Sequence, residues 1–94
     1  MRIRWLIPAI ENLDKAATWI ENDNRQAAED FVAAVQKTVL LIEQVPSAGK
    51  VGRVQGTREM TVLGYPYLIP YRVVGDELQI LRVFHVRQQS ANEW

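Results

Sequence analysis

From Arg2 to Ile7 the chain alternates, with Ile3, Trp5 and Ile7 on one side and Arg2, Arg4 and Leu6 on the other. Period two with β-branched and aromatic members predicts a strand over 2–7. Pro8 ends it and suits the first turn of a helix. The period then lengthens: Ile10, Leu13, Ala17 and Ile20, with Ala16 beside them, recur at helical spacing over 9–22. Asn22, Asp23 and Asn24 interrupt that helix and supply an N-cap for another. The second helix is expected over 25–44, on a stripe of Ala28, Phe31 or Val32, Val35, Val39 and Ile42 that Leu40 and Leu41 widen. Glu29 and Asp30 fall in its early turns, where the helix dipole favours acids, and Pro46, Ser47 and Gly49 stop it. Helices joined by so short a connection form an antiparallel hairpin.

Residues 46–56 carry Gly49, Gly52 and Gly56 with Lys50 and Arg53 between them, the composition of an exposed loop. Three strands are expected after it: Thr57–Leu63, Tyr67–Val74 and Glu77–His85. Gly64-Tyr65-Pro66 turns the chain between the first two, and Gly75-Asp76 is a two-residue hairpin loop with glycine first. Pro70 cannot donate to a ladder, so its strand needs a bulge or a free edge there. Residues 86–94 read as a polar, loosely held tail. The order is β-α-α-β-β-β. A helical hairpin covering one face of a four-stranded, mainly antiparallel sheet is the α+β solution that buries these apolar faces, as a single domain over 1–94.

Composition narrows the function classes. Ninety-four residues suffice for one modest core. There is no cysteine, which removes disulfides and thiolate metal sites, and a single histidine makes an imidazole zinc site improbable. No metal or cofactor is expected. No apolar run has the length of a membrane span, and Pro8, Glu11 and Asp14 interrupt any signal-like stretch, so a cytoplasmic protein without membrane contact is expected. The formal net charge is +0, but residues 1–45 hold five basic and seven acidic side chains and residues 46–94 hold six and four. The second half is thus mildly basic and dominated by arginine, which points towards an anionic partner without requiring one.

Among residues that carry chemistry, His85 is the candidate general acid or base, although a structural or contact role is the more economical reading. Arg53, Arg58, Arg82 and Arg87 have the forked donors that match phosphate oxygens. Glu59 follows Arg58 in a strand, so the two point to opposite faces; it has a structural use as a cross-strand partner of Arg72 or Arg82. Glu59 as base, His85 as acid and Arg82 on the phosphate would suffice for metal-free RNA cleavage if the fold made them converge. Tyr65, Tyr67 and Tyr71 read either as stacking platforms or as half-buried sheet packing. No phosphate-loop pattern is present among the glycines. Trp5 and Trp19 are expected in or beside the core, and Trp94 either caps the fold or hangs free.

Three blocks occur in order: Gly52-Arg53-Val54-Gln55-Gly56-Thr57-Arg58-Glu59, Tyr67-Leu68-Ile69-Pro70-Tyr71-Arg72-Val73, and Ile80-Leu81-Arg82-Val83-Phe84-His85-Val86-Arg87-Gln88. With the two helices and the first strand, they resemble the RelE/ParE toxin superfamily across nearly the whole chain. The resemblance implies a toxin of a type II toxin–antitoxin system, able to arrest growth or stabilise a plasmid, with a cognate antitoxin as partner. ParE-like members of that superfamily act on DNA gyrase without being enzymes. RelE-like members are endonucleases that cut mRNA on the ribosome. The nuclease members commonly carry an arginine at the position of Leu68, and they tend to be strongly basic, so the chain resembles the ParE-like branch more. On that branch Arg53, Arg58, Arg87 and Tyr67 are the expected target-binding residues. On the nuclease alternative the catalytic set is His85, Glu59 and Arg82.

Overall fold

The computed structural model describes residues 1–88 and Trp94. Strand β1 spans Arg2–Trp5 and is followed by helix α1 over Ile7–Glu21 and helix α2 over Arg25–Gln44. The strands β2 (Lys50–Val51), β3 (Arg58–Thr61), β4 (Tyr67–Val74), β5 (Glu77–Ile80) and β6 (Phe84–His85) follow. As expected, Asn24 caps α2: its side chain accepts a hydrogen bond from the Ala27 amide at 3.0 Å. The sheet runs β1-β5-β4-β3-β2, with β1 parallel to β5 and the other pairs antiparallel. The helical hairpin lies on one face.

The sheet has six strands where four were expected. One addition is β2, a two-residue edge strand inside the glycine-rich loop. The other comes from Pro70, which splits the expected strand over 77–85 into β5 and β6. Tyr71 pairs with Ile80 on one side of the interruption and Leu68 with Phe84 on the other. Ile69 and Pro70 therefore face three residues, Leu81, Arg82 and Val83, which is a bulge. The Pro70 carbonyl accepts from the Leu81 amide at 2.9 Å, so the proline nitrogen, with no proton to donate, looks towards the detour. The extra residue lets the facing strand leave the ladder where its partner has nothing to offer.

Beneath the helices, Val62, Ile69, Tyr71, Leu78 and Ile80 meet Phe31, Val35, Val39 and Ile42 in the core. The α2 stripe matches the expected one through Ala28, Phe31, Val35, Val39 and Ile42, but Leu40, expected to widen it, is 54% exposed, and Thr38 is buried in its stead. On α1 the phase differs: Ala9 is buried, Leu13, Ala16 and Ile20 pack partly against the core, and Ile10 is exposed. Turning Ala9 and Ala16 inward lets the helix backbone approach its neighbours more closely than the larger Ile10 would allow. The same rotation leaves Trp19, expected in the core or at its edge, 75% exposed.

Two buried hydroxyls tie the layers together. The Thr38 hydroxyl donates to the Ala34 carbonyl at 2.8 Å and accepts from the Leu63 amide at 3.2 Å. The fully buried Tyr71 hydroxyl donates to the Pro46 carbonyl at 2.6 Å and accepts from the Gly49 amide at 2.9 Å. That contact requires glycine at position 49, since a Cβ there would lie 2.6 Å from the Tyr71 hydroxyl and 3.0 Å from the Glu59 carbonyl. Gly75, at φ +62°, has the sign its two-residue hairpin needs. Among the described residues no helix is long and apolar enough to cross a membrane.

Candidate functional site

Alternation along β4 sorts the candidate residues between two sides of the sheet. Ile69 and Tyr71 turn to the helices, so Leu68 and Pro70 turn away. Glu59 pairs with Pro70 and Phe84 with Leu68, which puts both on the side away from the helices. Tyr67 packs against Phe31 under the helices, and its register partner is His85. Glu59 and His85 thus occupy opposite faces of the sheet. The set of Glu59, His85 and Arg82 does not converge as metal-free RNA cleavage would require.

Glu59 is instead the centre of a lock on the far face, and its partner is Arg53 rather than Arg72 or Arg82. The Arg53 guanidinium donates through Nε to Oε2 and through Nη2 to Oε1, each at 2.9 Å. The Arg53 backbone amide adds a bond to Oε2 at 2.9 Å, and the Trp94 indole adds another at 2.8 Å. Trp94 therefore caps the fold. The Glu59 side chain is 1% exposed and that of Arg53 19% exposed. Burial alone pushes the Glu59 carboxyl up, but the donors of Arg53 and Trp94 together outweigh it and hold the group below its ordinary value. Arg53 also lies over the Phe84 ring, 5.4 Å from its centroid. Arg58 is engaged as well, donating to the Gly49 carbonyl at 2.8 Å. Of the four expected target-binding residues, two therefore stitch the glycine-rich loop to the sheet. Arg87 is exposed, and Tyr67 is half-buried between Phe31 and His85.

On the other side of the bulge, α1 and β6 enclose a cleft of about 910 Å³. Lys15, Trp19, Tyr67, Arg82, His85 and Gln88 are among its walls. The His85 ring meets Tyr67 edge to face at 5.2 Å, and its Nδ1 accepts from the Arg87 amide at 3.1 Å. That bond places the proton of the neutral ring on Nε2. The Asn12 side chain accepts from the Val83 amide at 3.2 Å and that of Gln88 from the His85 amide at 3.0 Å. Sequence reasoning had singled out Arg82 and His85 but not Lys15, Asn12 or Gln88. The spacing of Asn12, Lys15, Ala16 and Trp19 along one helix face was the available signal, but only once the phase of α1 is known. No group of three or more His, Asp or Glu side chains able to hold a metal occurs among the described residues.

A helical hairpin laid on one face of a mainly antiparallel sheet, with an arginine-bearing loop and a histidine in its last strand, is the architecture expected of the RelE/ParE superfamily. Residues 3–90 match the family model described as "ParE toxin of type II toxin-antitoxin system, parDE". The chain is 40% identical over 88 residues to "Putative toxin Y4kP" of Sinorhizobium fredii, an alignment spanning 94% of this chain and 91% of that protein. A solved structure titled "Chromosomal ParDE TA system from P. aeruginosa" superposes with a TM-score of 0.81 at 30% identity, covering 90% of this chain and 95% of that one. The solution structure of the conserved hypothetical protein HP0894 from Helicobacter pylori shares the fold, with a TM-score of 0.55 at 19% identity over 88% of this chain and 91% of that one. The chain belongs to the ParE toxin family of type II toxin–antitoxin systems.

Proposed function

We propose that this toxin acts as one domain in the cytoplasm, inhibits DNA gyrase without being an enzyme, and is neutralised by a cognate antitoxin. The observation that carries the reading is the separation of the acid–base residues. Glu59 is held by Arg53 and Trp94 on one face, while His85 sits on the other. Leu68, where the nuclease members commonly carry an arginine, is 6% exposed and brings no charge to a phosphate. Purified chain added to gyrase and relaxed plasmid should block supercoiling, and an equimolar amount of the antitoxin should restore it. Undiminished supercoiling at a large excess of a chain that still arrests growing cells would overturn the proposal.

One observation favours a second reading, a ribosome-dependent mRNA endonuclease: Arg82 and His85 line the same cleft. On that reading, transcripts are cut during growth arrest, and Arg82→Ala with His85→Gln abolishes the cuts. Full-length transcripts in arrested cells exclude it.

A further inference from the structure

The cleft between α1 and β6 has a chemical bias that the gyrase reading does not use. Its cations are uncommitted. Arg2, Arg4, Arg25 and Arg53 all form ion pairs, whereas among the described residues the side chains of Lys15 and Arg82, like those of Lys37, Lys50 and Arg87 outside the cleft, form neither an ion pair nor a hydrogen bond. Among the described residues no carboxylate lines the cleft. Several of its acceptors, by contrast, are already engaged. The Asn12 and Gln88 side-chain oxygens take the Val83 and His85 amides, and His85 Nδ1 takes the Arg87 amide. The free donors of these groups are the two amide NH2 groups and His85 Nε2–H, beside the ammonium of Lys15 and the guanidinium of Arg82.

The bias is local. A second groove on the other side of the same helix, between α1 and α2, is lined by Asp14, Glu21 and Glu29 and, among the described residues, by no cation. Net charge therefore cannot account for the donor-rich cleft. Flat rings complete it: Trp19 stands 75% exposed on the helix wall, and Tyr67 lies on the sheet wall, fixed by Phe31 and His85. An exposed indole offers a flat, largely apolar face on which another ring can stack. A surplus of cations and donors favours a multiply charged oxyanion, and aromatic rings in the walls favour a planar group. A nucleoside phosphate carries both, and the cleft's volume falls within the range of small-ligand sites.

We propose that this cleft binds a nucleoside phosphate, free or as one unit of a single strand, with Trp19 and Tyr67 against the base and Lys15, Arg82 and His85 towards the phosphate. An acidic peptide offers carboxylates, but each has fewer oxygens than a phosphate and no obligatory flat ring beside it, so it fits the same walls less completely.

The test is a titration of the 15N-labelled full chain, followed by its amide and indole resonances. The probes are adenosine monophosphate, a short single-stranded oligonucleotide, inorganic phosphate and a polyglutamate peptide. Saturable shifts at the Trp19 indole and at the Val83 and His85 amides are expected with the first two probes. The tighter of these identifies the free or the strand-borne source. Lys15→Glu combined with Arg82→Glu should weaken binding by on the order of tenfold or more. Trp19→Ala should weaken it several-fold. Lys37→Glu, an equal charge change per site on the exposed side of α2, should leave it unaltered. Inorganic phosphate binding as tightly as the nucleotide would overturn the assignment of a base site. Polyglutamate binding as tightly as the oligonucleotide would overturn it in favour of a peptide site. Shifts that are absent, unsaturable or remote from the cleft would overturn it outright. Because the readout is binding, it is independent of whether gyrase is inhibited.

Discussion

The two faces of the sheet bury side chains to nearly the same degree by opposite means. Beneath the helices, Ile69, Leu78 and Ile80 are at 0% exposure through apolar packing. On the far face Glu59 reaches 3% only because Arg53 and Trp94 satisfy its carboxylate. The first kind of burial is cumulative and tolerant, since each methylene removed costs a little. The second is conditional: removing one donor leaves a charge in a poorly solvated place, which costs more than the bond contributed. One face should therefore respond to volume and the other to protonation.

The largest effect that sharpens this contrast is expected at Phe31. The ring is fully buried, 5.2 Å from Tyr65 and 4.8 Å from Tyr67. Phe31→Ala should cost about 3–5 kcal/mol in denaturant unfolding, with a pH-independent penalty. If the penalty were smaller than that at Glu59, apolar packing would not be the stronger of the two devices.

Glu59→Gln comes next. It keeps the shape but removes the charge that three Arg53 donors and one Trp94 donor share. Hydrogen bonds to a charged group contribute about 1.5–3 kcal/mol net, and the loss should fall in that range near neutral pH. The sign with pH follows from the direction of the shift. The folded-state carboxyl lies below its ordinary value of 4.5, so its stabilisation is fully present above that value and is lost as pH falls through the lower folded value. Wild type and Glu59→Gln should therefore converge in stability as the medium is acidified below about 4.5. A constant gap through that acidic range would mean that the charge is not what holds the far face.

The same division explains what was legible in the sequence. The α2 stripe over Phe31, Val35, Val39 and Ile42 follows from helical period alone, and its bounds match because Asn24 and Pro46 mark the two ends. The hairpin at Gly75 follows from local turn chemistry. The break at Leu81–Val83 was only half visible. Pro70 announced a defect, but whether its own strand or the facing one gives way depends on which side its nitrogen faces. The phase of α1 was misread because Ile10 and Ala17 compete with Ala9 and Ala16 for the inner stripe, and only packing decides between them. The site was least legible of all. Glu59 has several arginines within plausible reach, and sequence distance does not reveal that Arg53, six residues back through a glycine-rich loop, arrives first.

The smallest effect separates two roles for Trp94. Its indole N–H is one of three donors to Glu59 Oε2, beside the Arg53 amide and Nε. Trp94→Phe keeps an aromatic ring but removes that donor; with the three Arg53 donors still in place it should cost about 1.5 kcal/mol, the low end for a bond to a charged group. If the ring only covered apolar surface, the loss would be the same at every pH. As a donor to a carboxylate it also helps to keep the folded-state value low, and its removal lets Glu59 take a proton at a higher pH than in the wild type. The onset of acid destabilisation should then move upward in pH for Trp94→Phe, and this acid-dependent step should be absent in Glu59→Gln, which has no charge left to neutralise. An unmoved onset would reduce Trp94 to a cover and leave Arg53 alone as the partner that makes burial of Glu59 possible.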